Sequence, residues 1–211
     1  MSGSITDVEV GMRTLAEQIL ANETYFGELD AVVGDGDFGY SLARGFEIVI
    51  QQWDDFDRSD PGVFITKVAA AVAARIGGTS GPIWGTAMLR AGVQLKGHTQ
   101  IERTDMVRAL RASIEGIKVR GNTDVGDKTL LDSLVPAVDT LEAAESIGRS
   151  AKQTLAAMAV AADAAAENTS TMQARRGRAS YTGERSIGSV DAGAKGVAVL
   201  IKALADAWPE A

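Results

Sequence analysis

Three aspartates fall within eight residues of the stretch Leu29-Asp30-Ala31-Val32-Val33-Gly34-Asp35-Gly36-Asp37-Phe38-Gly39. Asp35 and Asp37 alternate with glycines, whose backbones can take positive φ and fold the acids inward. Converging carboxylates repel one another unless a cation sits between them, and oxygen ligands suit a hard ion, magnesium or calcium. Two rival motifs fail on position. Gly34-Asp35-Gly36-Asp37-Phe38-Gly39 spells a dinucleotide-binding glycine loop, but its acids would face a bare pyrophosphate and no βαβ alternation follows. An EF-hand counted from Asp35 puts Gly39 at its fifth position and Phe46 at its twelfth, where oxygen ligands are required. Two readings stay open on the residues alone: a metal–phosphate site, or solvated turn acids with Asp37 capping a helix.

Three more loops carry polar chemistry. Gly77-Gly78-Thr79-Ser80-Gly81-Pro82 opens a helix. Free N–H groups and two hydroxyls there make either an anion site or a plain N-cap on Ser80. The Gly-Lys-Thr of a Walker loop is missing. Arg120-Gly121-Asn122-Thr123-Asp124-Val125-Gly126-Asp127-Lys128-Thr129 is a polar turn in which Asp127 is placed to cap the next helix. Ala174-Arg175-Arg176-Gly177-Arg178-Ala179-Ser180-Tyr181-Thr182-Gly183-Glu184-Arg185 holds four arginines and one glutamate. Arginine forks match phosphate oxygens, though a solvated loop also accounts for them. His98, the only histidine, lies outside every cluster and reads as a helix-end or surface residue.

The elements that must position these loops are helical almost throughout. Thr6 and Glu9 have capping-box spacing ahead of Val8, Met12, Leu15 and Ile19. A second helix is predicted from Phe38 towards Trp53. A third starts at Asp60-Pro61 and is stopped by Gly77-Gly78, and a fourth starts at Ser80 and runs to Gly97. Thr99 and Glu102 form another capping box. Asp127 opens the sixth helix, with Pro136 as a kink or boundary, Ser150 to Glu167 is the seventh, and the last starts at Asp191. The expectation is all-α: eight antiparallel helices and no strand, one domain over residues 1–211. Trp53, Trp84 and Trp208 fall on helical faces as core residues. In such a bundle alternate loops share an end, so 34–39, 77–81, 121–126 and 177–193 should meet, and the site should lie there.

Composition narrows the classes. A net charge of −7 argues against a nucleic-acid binder, which needs clustered lysine and arginine. With no cysteine, disulfides, zinc fingers and thiol nucleophiles are out. Aromatics are only 5% of the chain, so alanine and aliphatic residues must build the core. The N-terminus has no secretory pattern and no apolar run reaches about 18 residues, so a cytoplasmic protein away from membranes is expected.

Taken in order and at their spacing, the motifs resemble the nucleotide (ADP)-binding L subunit of dihydroxyacetone kinases. The resemblance rests on Asp30 with Gly34-Asp35-Gly36-Asp37 and Ala43-Arg44-Gly45-Phe46, and on Gly78-Thr79-Ser80-Gly81-Pro82. It extends through Gly126-Asp127-Lys128-Thr129 and Ala174 to Tyr181 to Gly183-Glu184-Arg185-Ser186-Ile187-Gly188, and so spans nearly the whole chain. It implies a barrel of eight helices with ADP or ATP and two magnesium ions at one end, the metal on Asp30, Asp35 and Asp37. The implied nucleotide pocket comprises Phe38, Gly39, Tyr40, Ser41, Thr79, Ser80, Gly121, Leu130, Arg178, Asp191, Ala192 and Gly193, with Arg178 the candidate stabiliser of phosphate charge. It also implies a separate K subunit holding the ketose on its own histidine, an M-type phosphotransferase subunit that rephosphorylates retained ADP, and a homodimer. A free-standing L-like chain favours this coupled form over the ATP-dependent one, in which K and L halves share a chain. Phe38 departs from the family pattern, which usually has histidine; phenylalanine neither donates a hydrogen bond nor carries charge. Alternatives are an ATP-dependent kinase subunit for a tetrulose, a nucleotide-loaded module that signals to a transcriptional regulator, and the N-terminal domain type of fatty acid kinases. That last type tends to read Pro-Asp-Gly-Asp-Thr-Gly-Thr-Asn, unlike the loop here.

Overall fold

The computed structural model describes residues 2–144 and 148–210; the expected domain over 1–211 also takes in residues 1, 145–147 and 211, which lie outside them. Nine α-helices occur among the described residues: α1 Ile5–Ala21, α2 Glu23–Ala31, α3 Phe38–Gln51, α4 Pro61–Ala73, α5 Ser80–Gln94, α6 Arg103–Gly121, α7 Leu131–Ala143, α8 Ala151–Asn168 and α9 Ala192–Ala207. The expected count of eight is therefore corrected, and α2 is the addition. It buries one side chain, Phe26, and so has no apolar stripe to announce it. Asn22 ends α1 by donating from Nδ2 to Gln18 O at 2.8 Å, at a point where neither glycine nor proline marks a boundary.

The absence of strands is corrected too. Ser2–Gly3 (β1) and Ile101–Glu102 (β2) pair antiparallel, Ser2 opposite Glu102 and Gly3 opposite Ile101. This pairing keeps 101–102 extended, so Glu102 caps α6 and Thr99 does not. At α1 the cap is Ser4, whose N–H donates to Asp7 Oδ2 at 2.7 Å, and the Thr6–Glu9 box does not form. The cap read at Asp60-Pro61 holds, and the helix starts read at Ser150 and Asp191 prove to be side-chain caps. Asp60 Oδ1 accepts from Val63 N–H at 2.9 Å with Pro61 next in the chain, and Ser150 Oγ accepts from Gln153 N–H at 3.2 Å. Asp191 Oδ2 likewise accepts from Ala194 N–H at 2.7 Å at the start of α9. Asp127 does not cap α7, which begins at Leu131. Lys128 has φ 62°, outside the helical region, so no helix passes through it, and Asp132 accepts the Thr129 N–H at 2.7 Å instead. Pro136 lies inside α7 and makes no boundary.

Eight helices close a ring. From α3 to α9 each packs on the next, α9 returns to α1, and α1 packs on α3; α2 sits against α3. One side of the interior is built on Phe26, Phe46 and Phe64 with Leu42, Val68 and Val72, all essentially without exposed surface. The other is alanine-rich, with Ala162, Ala166, Ala194 and Ala198 buried where α8 meets α9. Small side chains let those two backbones approach closely, which accounts for the alanine bias. Trp84 packs against both sides and joins them. Among the described residues no helix is long and apolar enough to cross a membrane.

At the α2–α3 contact the two backbones meet directly at Gly39. A Cβ added to Gly39 would lie 1.9 Å from Glu23 O and 2.7 Å from Gly27 N, both backbone atoms that cannot rotate away. Gly39→Ala is expected to cost about 3 kcal/mol by overpacking, read as a lowered midpoint in thermal or urea unfolding. A midpoint equal to that of the parent chain would show that α2 is free to shift.

Candidate functional site

The four loops meet. A cleft of about 220 Å³ at one end of the ring is lined by Asp30, Asp35 and Asp37, by Gly77 to Ser80, by Gly121 and Thr123, and by Arg176 to Ala179 and Val190 to Gly193. Leu29, Val33, Ile83, Trp84, Ile117 and Leu130 give it apolar walls.

Asp30 ends α2, Asp37 precedes α3, and Asp35 stands in the turn between them. One carboxylate oxygen from each lies within 4.8 Å of the others. The turn closes through Gly34 N–H, which donates to Asp30 O at 2.6 Å. A Cβ on Gly34 would fall 2.2 Å from Asp30 Oδ1, so only glycine leaves room for that carboxylate. Desolvation pushes the Asp37 carboxyl above its ordinary value; the Asp35 and Asp30 charges add to this and Arg178 opposes it. Asp30 Oδ2 is buried without a hydrogen-bond partner. A buried orphan acceptor beside two more carboxylates is the donor set a hard divalent cation takes, so the residues fit magnesium.

Anion-binding elements face the acids. Arg178 reaches Asp35 Oδ2 at 3.1 Å from a side chain that is 65% exposed. Three helices, α3, α5 and α9, begin at the cleft and bring their positive ends to it. Thr79 stands at the N-cap of α5 without making a side-chain capping bond. Carboxylates on one side with helix N-termini, hydroxyls and a guanidinium on the other suit a metal-bound polyphosphate.

Residues 32–206 match the DAK2 domain. The chain belongs to that family. Over 211 residues it is 35% identical to the "PEP-dependent dihydroxyacetone kinase, ADP-binding subunit DhaL" of Escherichia coli strain K12, with 100% of both chains covered. It is 35% identical to the L-erythrulose 1-kinase of Mycolicibacterium smegmatis over 96% of its own length but 38% of that protein's. The crystal structure of the dihydroxyacetone kinase from C. freundii in complex with AMP-PNP and Mg2+ superposes with TM-score 0.71 at 27% identity. That match covers 97% of this chain and 33% of the kinase chain, so the DAK2 chain described here spans about a third of it.

Within this DAK2 domain the structure gathers Phe38, Thr79, Ser80, Gly121, Leu130, Arg178, Asp191, Ala192 and Gly193 around the cleft. Gly39, Tyr40 and Ser41 are not among its lining residues. Gly39 is wedged against α2, Tyr40 is 59% exposed with the Arg44 guanidinium over its ring at 5.0 Å, and Ser41 N–H donates to Asp37 O at 2.8 Å. Phe38 belongs to core and cleft together. Its ring packs on Phe26, centroids 5.9 Å apart, and offers the cleft carbon alone. Three of the loop's arginines divide. Arg176 and Arg175 pair with Asp127 at 3.6 and 4.0 Å and tie the loop down, while Arg178 turns to the acids. His98 is remote from the cleft, its Nε2 3.5 Å from Asp105 Oδ1.

Sequence reasoning did not single out Lys128 or Thr123 and read Trp84 as core alone; all three also line the cleft. Lys128 stands in the quoted Gly-Asp-Lys-Thr motif, but only the fold shows it to be 1% exposed. Burial lowers its pKa and the Asp191 charge opposes that. Asp191 is pushed up to about 7, first by burial, with Asp132 and Asp30 adding and the Ala194 N–H and Lys128 opposing. By surface area its residue is half-buried, because one side faces the cleft.

Two outcomes follow for the metal-free protein. Asp37→Asn removes a like charge and is expected to raise stability by a few tenths, about 0.3 kcal/mol, since the group faces water. The same change should abolish the thermal shift given by magnesium; an unchanged shift would take Asp37 out of the metal set. Asp191 binds its proton more tightly folded than unfolded, so its contribution is full below the unfolded value of 3.8 and is lost as pH rises through about 7. Unfolding midpoints in chelator should fall across that window, and Asp191→Asn should flatten the fall.

Proposed function

We propose that this chain is the nucleotide-binding subunit of a dihydroxyacetone kinase, a phosphotransferase that works on magnesium-bound adenine nucleotide. The observation that carries this is the end-to-end match to the E. coli ADP-binding subunit, 35% identical over 100% of both chains, on a fold whose four loops converge at the carboxylate triad. In this reading Asp30, Asp35 and Asp37 hold the metal, at a count of two ions. Thr79, Ser80 and the first N–H groups of α3, α5 and α9 hold phosphate oxygens, and Arg178 adds a planar fork to the transferring group. When bound, the metal offsets negative charge between carboxylates and phosphates during transfer. Leu130 and the other apolar walls receive the uncharged part of the nucleotide. Phe38 shapes the cleft without donating to it.

The single histidine lies outside the cleft, which leaves capture of the ketose to another subunit. Val32, Val125, Tyr181 and Ile187 are exposed on the loops that border the cleft, and such apolar rims suit a docking face. The proposal therefore includes a K-type partner that carries dihydroxyacetone, an M-type phosphotransferase donor, ADP kept as a cofactor, a homodimer, and action in the cytoplasm. A transcriptional regulator is a further contact compatible with retained nucleotide. The erythrulose kinase relative keeps a short four-carbon ketose as the second reading of the acceptor.

Denaturing the purified protein and analysing what it releases is the direct test. Adenine nucleotide and magnesium are expected, and Asp35→Asn should weaken nucleotide retention by at least about tenfold, since even outer-shell metal partners are worth that much. A protein that neither carries nor binds adenine nucleotide with magnesium would sink the proposal. Adding K subunit with dihydroxyacetone or erythrulose, and either ATP or an M-type donor, then assigns acceptor and donor.

A further inference from the structure

A lysine lining a phosphate cleft invites the reading that it binds phosphate. The geometry of Lys128 argues otherwise. Its backbone is left-handed, φ 62°, a conformation that among the described non-glycine residues only Asn122 shares. Asp132 holds that turn, Oδ1 accepting from Gly126 N–H at 2.5 Å and Oδ2 from Thr129 N–H at 2.7 Å. The side chain is thereby sent inward, and its Nζ donates to Ser189 O at 2.7 Å, to Met172 O at 3.2 Å and to Ser186 O. An ammonium has three N–H donors, and here each has a backbone carbonyl. None is left for a phosphate oxygen.

The three carbonyls lie at the two ends of one segment. Met172 opens the arginine loop and Ser186 and Ser189 close it, while Arg178 and Tyr181 between them are largely exposed. We propose that Lys128 is a positioning residue that closes the neck of the arginine loop and so fixes where Arg178 stands over the cleft. This rests on the nucleotide reading above for its functional consequence, but the closure itself does not. Neighbouring bonds share the neck: Ala174 N–H donates to Ser186 Oγ at 2.9 Å and Gly188 N–H to Ser170 O at 2.7 Å. These keep the chain folded when the ammonium is replaced, whereas only the ammonium spans both ends and the 126–129 turn at once. Asp132 and Lys128, close together in one turn, thus act as one unit with Arg178, which is far from both in sequence.

The test combines Lys128→Met and Lys128→Arg with Arg178→Ala, reading magnesium–ADP affinity by calorimetry and the rate of tryptic cleavage at Arg175 to Arg185. In the parent background Lys128→Met is expected to weaken binding about tenfold, and in the Arg178→Ala background to change it little, as coupled sites do. Lys128→Arg should lose affinity too, because a planar fork does not fit a cage of three carbonyls. Both variants should be cut faster in the loop while the unfolding midpoint of the whole chain stays well above the assay temperature. Equal losses in both backgrounds, or full binding by Lys128→Arg, would assign Lys128 to the phosphates and overturn the proposal. Unchanged cleavage in both variants would also overturn it. If Lys128→Met does not fold, Lys128→Arg carries both readouts. A parent chain that binds no magnesium–ADP would remove the functional reading, and cleavage would then decide the closure alone.

Discussion

Three carboxylate oxygens held within 4.8 Å of one another are a standing repulsion, and most of the cleft is arranged around it. Nothing in the local chain relieves that repulsion. It is imposed by the end of α2, the Gly34 turn and the start of α3, with Gly39 locking the two helices at backbone contact. Burial first, and then the Asp35 and Asp30 charges, raise the Asp37 carboxyl, and Asp30 Oδ2 is left buried without a hydrogen-bond partner. A site that is unfavourable empty and favourable with a cation gives away some stability in exchange for binding.

The opposite wall answers with positive potential that is mostly backbone. The N-termini of α5 and α9 and one guanidinium share the cleft with the acids in a chain whose net charge is −7. Fixed dipoles of this kind cost no side-chain ordering and do not titrate; the titrating group on that wall is Asp191, which caps α9 and is pushed up to about 7. The arginine loop supplies the side-chain part of that charge, and its own anchoring is divided between Asp127, which takes Arg175 and Arg176, and the ammonium of Lys128.

The ring explains why so small an aromatic content suffices. Alanine pairs on α8 and α9 bring those helices close, and phenylalanines fill the wider side beneath α2 and α3. Phe38 sits where these two demands meet. It completes the aromatic cluster with Phe26 and also forms part of the cleft, so a change of residue there alters packing and ligand chemistry together.

What the sequence determined by itself was helical periodicity, the Asp60 cap next to proline, the helix start at Asp191, and the four polar loops whose alternation along the chain puts them at one end. These are local or topological properties, carried by spacing alone. The triad was legible for the same reason, since its members lie within eight residues of one another. What escaped depended on partners distant in the chain. The helix α2 exists because Phe26 finds a core; α6 starts late because residues 101–102 pair with 2–3. Gly39 is glycine because the α2 backbone at Glu23 and Gly27 lies against it. Only the tertiary structure could set Arg175 and Arg176 as anchors apart from Arg178, which reaches the acids, or bury Lys128, because charge in a sequence carries no direction until carbonyls and carboxylates from elsewhere in the fold take up its protons.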